Sequence, residues 1–211
     1  MEEFVTIKEN VQTEITEKKS KFIANLFYIE NVEEAEKLIK QTKKKYHDAK
    51  HNCIAYRVID KGQMIEKSSD DGEPSGTAGQ PMLSILQKNN LSNILVIVTR
   101  YFGGILLGTG GLVRAYSNSL LSAIEKSEKE IKCLGQEILV ELDYNEFENF
   151  KYYCKKNGIN IIKVEYQEYI ECIISLEFHK KEKLMEDYER KNIVIKNIKE
   201  LSIKYITKSI E

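Results

Sequence analysis

The fold of this chain has to accommodate a cluster of glycines between an apolar run and an amphipathic run. Residues 94–118 read ILVIVTRYFGGILLGTGGLVRAYSN. Residues 94–98 are continuously apolar, and apolar residues recur at helical spacing over 112–124. Five glycines lie within nine positions between them: Gly103, Gly104, Gly108, Gly110 and Gly111. The pattern predicts a strand, a glycine loop and a helix.

The glycine loop, residues 103–111, has the chemistry of an anion-binding site. Glycine lets the backbone adopt positive φ and approach another group closely, and a helix start offers free N–H donors at its positive dipole end. We therefore predict that the loop binds an anion or another stretch of backbone. The residues predicted to take part are Arg100, Tyr101, Gly103, Gly104, Gly108, Thr109, Gly110, Gly111 and Arg114. The alternative is that the glycines only shape a tight connection.

Two familiar phosphate-binding motifs do not fit this loop. The Walker pattern G-x-x-x-x-G-K-[ST] can start at Gly103, but Thr109 then stands where the lysine belongs. The dinucleotide pattern G-x-G-x-x-G can start at Gly108, but Val113 then stands at its last glycine. The loop is therefore not assigned to either class of nucleotide-binding protein.

A second informative segment is SSDDGEPSGTAGQP at residues 68–81, called here the acidic loop. Its carboxylates, Asp70, Asp71 and Glu73, are candidate catalytic residues because neighbouring carboxylates serve acid–base or magnesium chemistry. Their spacing does not match a calcium loop. A turn rich in Asp, Gly, Pro and Ser also forms without any chemistry, so a purely structural interpretation stays open.

Composition predicts a globular protein of the cytoplasm. Hydrophobic residues make up 42% and charged residues 31%, and the net charge of −1 excludes a broadly basic surface for polyanions. No acidic residue lies between Glu73 and Glu125, so a nucleic acid would bind to a local patch there. Neither an export signal nor a run of about 18 apolar residues is present, and no membrane partner is expected. The four cysteines lack C-x-x-C spacing and predict reduced thiols.

Local patterns predict the elements of the N-terminal part. Residues 4–8 and 11–15 form a pattern typical of a short hairpin. Two capping-box patterns predict helix starts, one at Asn31 and one at Thr77. No metal site is predicted, because a fourth ligand is missing beside the three nearest candidates, His47, His51 and Cys53.

Near residue 131 glycine becomes rare and strands begin to alternate with helices. Asp143 and Glu146 predict the cap of a helix that Gly158 ends. Strands and helices then follow in the order β-α-β-β-α-β, which is the ferredoxin-like arrangement. We therefore predict an α+β protein of two domains, residues 1–130 and 131–211.

Four motifs together resemble the YigZ/Impact family. They are KSKFIA (19–24), HNCIAYR (51–57), DDGEPSGTAGQPML (70–83) and VTRYFGGILLGTGGLVRAYS (98–117). The resemblance implies an N-terminal domain with the left-handed βαβ fold of ribosomal-protein second domains. It implies that the ferredoxin-like C-terminal domain resembles domain V of elongation factor G. Eukaryotic members of the family regulate translation initiation by competing for an activator of a stress-responsive kinase.

Two functions are compatible with these features. The first is a non-enzymatic factor, without a cofactor, that binds RNA, the ribosome or a translation-associated protein through the glycine loop. The second is a small-molecule enzyme in which Asp70, Asp71 and Glu73 face that loop. The first is favoured, since the sequence shows neither a metal-ligand set nor a pair of nucleophile and base.

Overall fold

The computed structural model describes residues 3–208. Contacts divide the chain into two compact units, one running from Glu3 to Glu130 and the other beginning at Ile131. Each unit combines helices with antiparallel strands, so the predicted α+β class is confirmed.

The first unit is built around a five-stranded antiparallel sheet with the strand order β2-β3-β6-β4-β5. Its elements are β1 (Glu3–Ile7), β2 (Val11–Glu17), β3 (Ser20–Tyr28), α1 (Val32–Lys45), β4 (His51–Asp60), β5 (Gln63–Ser69), α2 (Gly79–Lys88), β6 (Ile94–Tyr101) and α3 (Thr109–Lys126). The central strand β6 leads directly into the glycine loop. The predicted strand, loop and helix of this segment are therefore confirmed.

Side chains alternate along β6 between two separate cores. Ile94, Val96 and Val98 pack on the side of α2 and α3, whereas Leu95 and Ile97 pack on the side of α1. Successive residues of a strand point to opposite faces of its sheet. Because helices cover both faces here, the strand is apolar at every position from Ile94 to Val98 instead of alternating with polar residues.

The predicted hairpin between residues 4–8 and 11–15 is wrong. Strand β2 pairs along its whole length with β3, and Val5 of β1 forms an isolated parallel bridge with Leu91. The two-residue turn that joins β2 to β3 is formed by residues 18–19. Both are lysines, and their sequence does not indicate a turn because neither glycine nor asparagine is present.

Helix α1 begins as predicted from its capping box. The Asn31 side chain accepts a hydrogen bond from the N–H of Glu34 at 2.8 Å, and the Glu34 carboxylate accepts one from the N–H of Glu30 at 2.8 Å. The first bond satisfies an N–H group that a helix start leaves without a partner, and the second ties Glu34 back to the residue before the cap. Lysines in the last turn lie where they favour the helix dipole.

The second unit has the predicted element order β-α-β-β-α-β. Its elements are β7 (Lys129–Leu142), α4 (Phe147–Lys156), β8 (Asn160–Tyr166), β9 (Ile170–Glu177), α5 (Phe178–Glu189) and β10 (Asn197–Thr207). The strands are antiparallel in the order β10-β7-β9-β8. A core of its own contains Ile138, Val140, Phe150, Ile174 and Leu184, all at most 3% exposed.

The two ends of α4 differ in how well the sequence predicts them. A 3₁₀ turn over Tyr144–Glu146 precedes the helix, and the Asp143 side chain makes no capping hydrogen bond, so the predicted cap is wrong. The predicted end at Gly158 is confirmed. This glycine has φ +61°, and the N–H of Ile159 bonds to the carbonyl of Cys154 at 2.9 Å. That is the hydrogen bond of a Schellman motif.

All four cysteines are buried, and none forms a disulfide bond. Within residues 3–208, no helix combines the length and apolar character needed to cross a bilayer.

Candidate binding site

A buried ion pair lies beneath the glycine loop. The Arg100 guanidinium, at the end of β6, donates from Nη1 to Oε1 of Glu73 at 2.7 Å, and the two side chains are 8% and 3% exposed. The hydroxyl of Tyr116 donates to the same oxygen at 2.8 Å. Arg100 therefore does not offer a free cation to an external anion, which corrects the role expected for it from the sequence.

Aromatic rings hold the Arg100 guanidinium in place. Its Cζ lies 5.6 Å from the ring centre of Phe22 and 5.7 Å from that of Phe102. Phe22 also packs edge-on against Tyr116, with 5.1 Å between the ring centres. A desolvated cation over aromatic faces adds to the attraction of the ion pair. The arrangement fixes the end of β6, from which the glycine loop departs.

The carboxylates of the acidic loop are occupied by contacts within the first unit. Asp70 accepts hydrogen bonds from the backbone N–H groups of Gly76, Ala78 and Gly79 at 2.8–2.9 Å. Burial acts to raise the pKa of Asp70, but these backbone hydrogen bonds outweigh it and lower the pKa below its ordinary value. Asp70 is thus the N-terminal cap of α2, which begins at Gly79.

The capping box predicted at Thr77 is wrong. The Thr77 hydroxyl donates to the carbonyl of Pro74 at 2.6 Å, and the residue before α2, Ala78, has no capping side chain of its own. The cap is Asp70, which lies in the acidic loop eight positions before Ala78. Sequence reasoning missed it because capping boxes join residues three positions apart.

Asp71 is also engaged. One of its carboxylate oxygens lies 2.6 Å from the Lys43 ammonium, and the other accepts from the Asn52 N–H at 2.7 Å. No group of three or more His, Cys, Asp or Glu residues in the described range is arranged to hold a metal ion. The acidic loop is linked to the end of β6, where the glycine loop begins, by the buried ion pair of Glu73 with Arg100.

The thiol and imidazole near this ion pair are held by the same loop. Cys53 donates from Sγ to the carbonyl of Asp70 at 2.9 Å, and burial raises the pKa of this thiol to about 12. At neutral pH, Cys53 is therefore present as the thiol, which is not the nucleophilic form. His51 lies 2.9 Å through Nδ1 from the carbonyl of Asp71, and its Nε2 is 4.0 Å from Glu73.

Replacing Asp70 with alanine is expected to destabilise the first unit by about 2–3 kcal/mol, because three backbone donors lose a charged acceptor. Since the folded-state pKa is lowered, this contribution is complete above the ordinary value of 3.8 and is lost as the pH falls through the folded-state pKa. Urea denaturation at pH 7 and at pH 3 measures both effects. Asp70→Asn, which keeps one acceptor oxygen, should lose less stability, and a wild-type pH dependence in Asp70→Ala would contradict the assignment.

The glycine loop and the residue before it present apolar side chains to solvent. Phe102, Ile105 and Leu106 are 56%, 42% and 82% exposed, whereas Leu107 turns into the core. Sequence reasoning missed Ile105 and Leu106, which the glycine pattern alone does not single out. Their signal is a run of three apolar residues, 105–107, enclosed between glycines, where a solvent-exposed turn normally carries polar residues.

Two glycines are required by the path of this loop. Gly104 and Gly108 have φ +84° and +72°, which a side chain disfavours. Gly103 has a different role: the backbone of Lys19 passes so close that a Cβ would lie 2.0 Å from it. Its N–H donates to the Ser20 hydroxyl at 3.1 Å. The close approach of backbone predicted for this loop is therefore found at Gly103.

Of the two arginines predicted to bind an anion, Arg100 is buried and Arg114 is exposed. Among residues 3–208 it has no ion pair or hydrogen bond, and its Nη1 lies 3.8 Å from where a Cβ on Gly110 would stand. Helix α3 starts after Gly108 without a side-chain cap. The exposed Thr109 and Gly110 thus begin a helix whose first N–H groups face solvent next to a cation.

Tyr101 does not supply a free ring hydroxyl. It donates to Asp48 at 2.7 Å, and this hydrogen bond, more than burial, raises the pKa of Tyr101 to about 12. The exposed aromatic ring at the loop is the neighbouring Phe102.

Comparison with known proteins identifies the family. A model described as the Impact N-terminal domain matches residues 18–124. The IMPACT family member YvyE of Bacillus subtilis is 38% identical over 180 residues, which cover 74% of this chain and 82% of that protein. The chain belongs to the IMPACT family. The predicted resemblance is therefore confirmed.

Another IMPACT family protein and a solved structure also match most of the chain. A member from Haemophilus influenzae is 39% identical over 179 residues, covering 83% of this chain and 86% of the relative. A crystal structure of a hypothetical protein covers 100% of this chain and 98% of its own, with a TM-score of 0.64 and 29% identity. The range that matches the family's N-terminal domain contains the glycine loop, the acidic loop and the ion pair between Arg100 and Glu73.

Proposed function

We propose that this IMPACT family protein regulates translation by binding, through the glycine loop, to RNA, the ribosome or a translation-associated protein. The observation that carries the proposal is the exposure of Phe102, Ile105 and Leu106 at the glycine loop and of Arg114 in the helix that follows it, an arginine with no ion pair among the described residues. Exposed apolar side chains grouped on one loop are typical of interaction sites. The absence of acidic residues between Glu73 and Glu125 favours a partner that carries negative charge.

The alternative, a small-molecule enzyme, receives less support from the acidic loop. Catalytic carboxylates need to reach a substrate, but Asp70 serves backbone donors, Asp71 serves Lys43, and Glu73 is buried against Arg100. A binding function requires none of these groups to be accessible. It requires the loop that they support to keep one conformation.

We also propose domain identities that follow from the family resemblance. Residues 1–130 form the Impact N-terminal domain with a left-handed βαβ fold, and residues 131–211 form a ferredoxin-like domain that resembles domain V of elongation factor G. The strand order β10-β7-β9-β8 supports the second assignment. Four cysteines without a disulfide bond support a cytoplasmic location, where thiols stay reduced.

The loop assignment is tested by Ile105→Ser/Leu106→Ser in the full chain. The two changes remove apolar contacts, and we expect capture of ribosomal or translation-associated components from lysate to fall at least about tenfold. The matched control is Ile162→Ser, an exposed apolar residue of the second unit at 52% exposure. Equal capture by the wild type, Ile105→Ser/Leu106→Ser and Ile162→Ser would show that the glycine loop does not bind the partner.

A further inference from the structure

The hairpin turn between β2 and β3 has an unusual composition. Glu17 pairs with Ser20, so the turn consists of Lys18 and Lys19 alone. Their φ angles are +45° and +66°. Two-residue hairpin turns with positive φ at both positions strongly prefer Asn-Gly, because a side chain is disfavoured in the left-handed region.

A second hairpin of the same sheet has the usual turn composition, with glycine at one of its two positions. Lys61 and Gly62 join β4 to β5 with φ +49° and +79°, and glycine occupies the second position. The turn of Lys18 and Lys19 thus keeps two long cationic side chains where smaller residues fit the backbone better. Backbone strain of this kind concentrates at functional sites.

This turn lies directly beside the glycine loop. The Gly103 N–H donates to Ser20, and the missing Cβ of Gly103 makes room for the backbone of Lys19. Helix α3 reaches the same end of the unit, because Tyr116 packs on Phe22, close to the start of β3. The hairpin turn, the exposed ring and the first turns of α3 therefore share one end of the first unit.

The charged groups at this end are mainly cationic. Lys18, Lys19 and Arg114 are exposed and have no ion pair within residues 3–208. Glu17 is an exposed acid next to them. The nearby Lys21 is balanced by Glu14 at 2.8 Å, and the Asp48 carboxylate accepts from Tyr101.

We propose that this end of the first unit binds single-stranded RNA, with Lys18, Lys19 and Arg114 on backbone phosphates and Phe102 stacked on a base. Single-stranded nucleic acids are bound by cations that follow the backbone and by aromatic rings that accept any base. The Phe102 ring is half exposed and packs on the buried Arg100, so it is already held for stacking. The inference rests on the proposed function and names the partner of the same surface.

The decisive variant is Lys18→Asn/Lys19→Gly in the full chain, because it should weaken RNA binding while it raises the stability of the protein. Asn-Gly suits the turn, so the melting temperature should rise by about 2 °C or more. Affinity for a fluorescently labelled oligouridine should fall by about tenfold or more at about 0.1 M salt. The slope of log affinity against log salt should shrink by about 1.4, or about 0.7 for each phosphate contact.

Two matched variants separate charge from turn geometry. Lys61→Asn makes the same kind of change in the other hairpin turn, at the end of β4 opposite His51, and should leave oligouridine affinity unchanged. Lys18→Arg/Lys19→Arg keeps both charges and should keep the affinity and the salt slope.

Wild-type affinity and salt slope in Lys18→Asn/Lys19→Gly would overturn the RNA assignment. So would a wild-type protein that does not bind oligouridine but captures a translation-associated protein from ribonuclease-treated lysate. In that second case the proposed function stands and its partner is a protein. Loss of capture in Ile105→Ser/Leu106→Ser, measured alongside, shows whether the glycine loop itself takes part.

Discussion

Replacing Glu73 with alanine is expected to destabilise the first unit by about 3–5 kcal/mol, the range for removing one partner of a buried ion pair. The Arg100 guanidinium would keep its buried position but lose the carboxylate that balances its charge. The Tyr116 hydroxyl would lose the same acceptor. Because native domains are stable by only about 5–15 kcal/mol, this one substitution should remove a large part of the folded population.

Urea denaturation followed by circular dichroism measures the effect, with two variants as controls. Glu73→Gln keeps an acceptor oxygen for both donors and should cost less than Glu73→Ala. The double variant Glu73→Leu/Arg100→Met should recover most of the stability, since apolar residues of similar volume can replace a buried pair. A loss below about 1 kcal/mol in Glu73→Ala would show that the pair is solvated and does not support the loop.

Gly103→Ala is expected to cost about 3 kcal/mol or more, because the new methyl group has no space. The backbone geometry at this position puts the added Cβ 2.0 Å from the carbonyl carbon and oxygen of Lys19 and 2.4 Å from the Ser20 nitrogen. These are backbone atoms, so no side-chain rotation can relieve the overlap. The β2–β3 hairpin would have to move away from the end of β6.

Gly110→Ala is the matched control for this substitution. Gly110 lies in the first turn of α3, and the nearest atom to its added Cβ would be Nη1 of Arg114 at 3.8 Å. Since alanine is the better helix former, the change should be neutral or stabilise by about 0.5–1 kcal/mol. Thermal melts of the two variants side by side measure the difference. Equal melting temperatures would show that the contact at Gly103 is not tight.

The elements that could be predicted from the sequence are those whose signals are local. The cap at Asn31, the continuous apolar run of β6 and the end of α4 at Gly158 each depend on residues within a few positions, and all three are found. The turn of Lys18 and Lys19 could not be predicted because its residues do not prefer the conformation they adopt. The wrong hairpin in the N-terminal part follows from that omission.

The candidate site is predicted less well because its interactions are distant in sequence. Arg100 lies in a segment without acids, but its partner Glu73 lies just outside that segment, 27 residues away. Asp70 has the pattern of a catalytic acid, and the donors that occupy it become its neighbours only when the acidic loop folds back. Charge counts along a chain cannot show which ions are paired in space. Arg114 is exposed and nothing in the described range pairs with it, so its anion-binding role stays a prediction.

The short span between the anchors of the glycine loop has a consequence for how fast the proposed partner would associate. The N–H of Gly103 is tied to Ser20 and the Leu107 side chain is buried, so only residues 104–106 lie between fixed points. A segment this short loses little conformational freedom when it is covered. Association of the proposed partner would then be governed by diffusion and charge instead of by a slow folding step, and dissociation would set the lifetime of the complex.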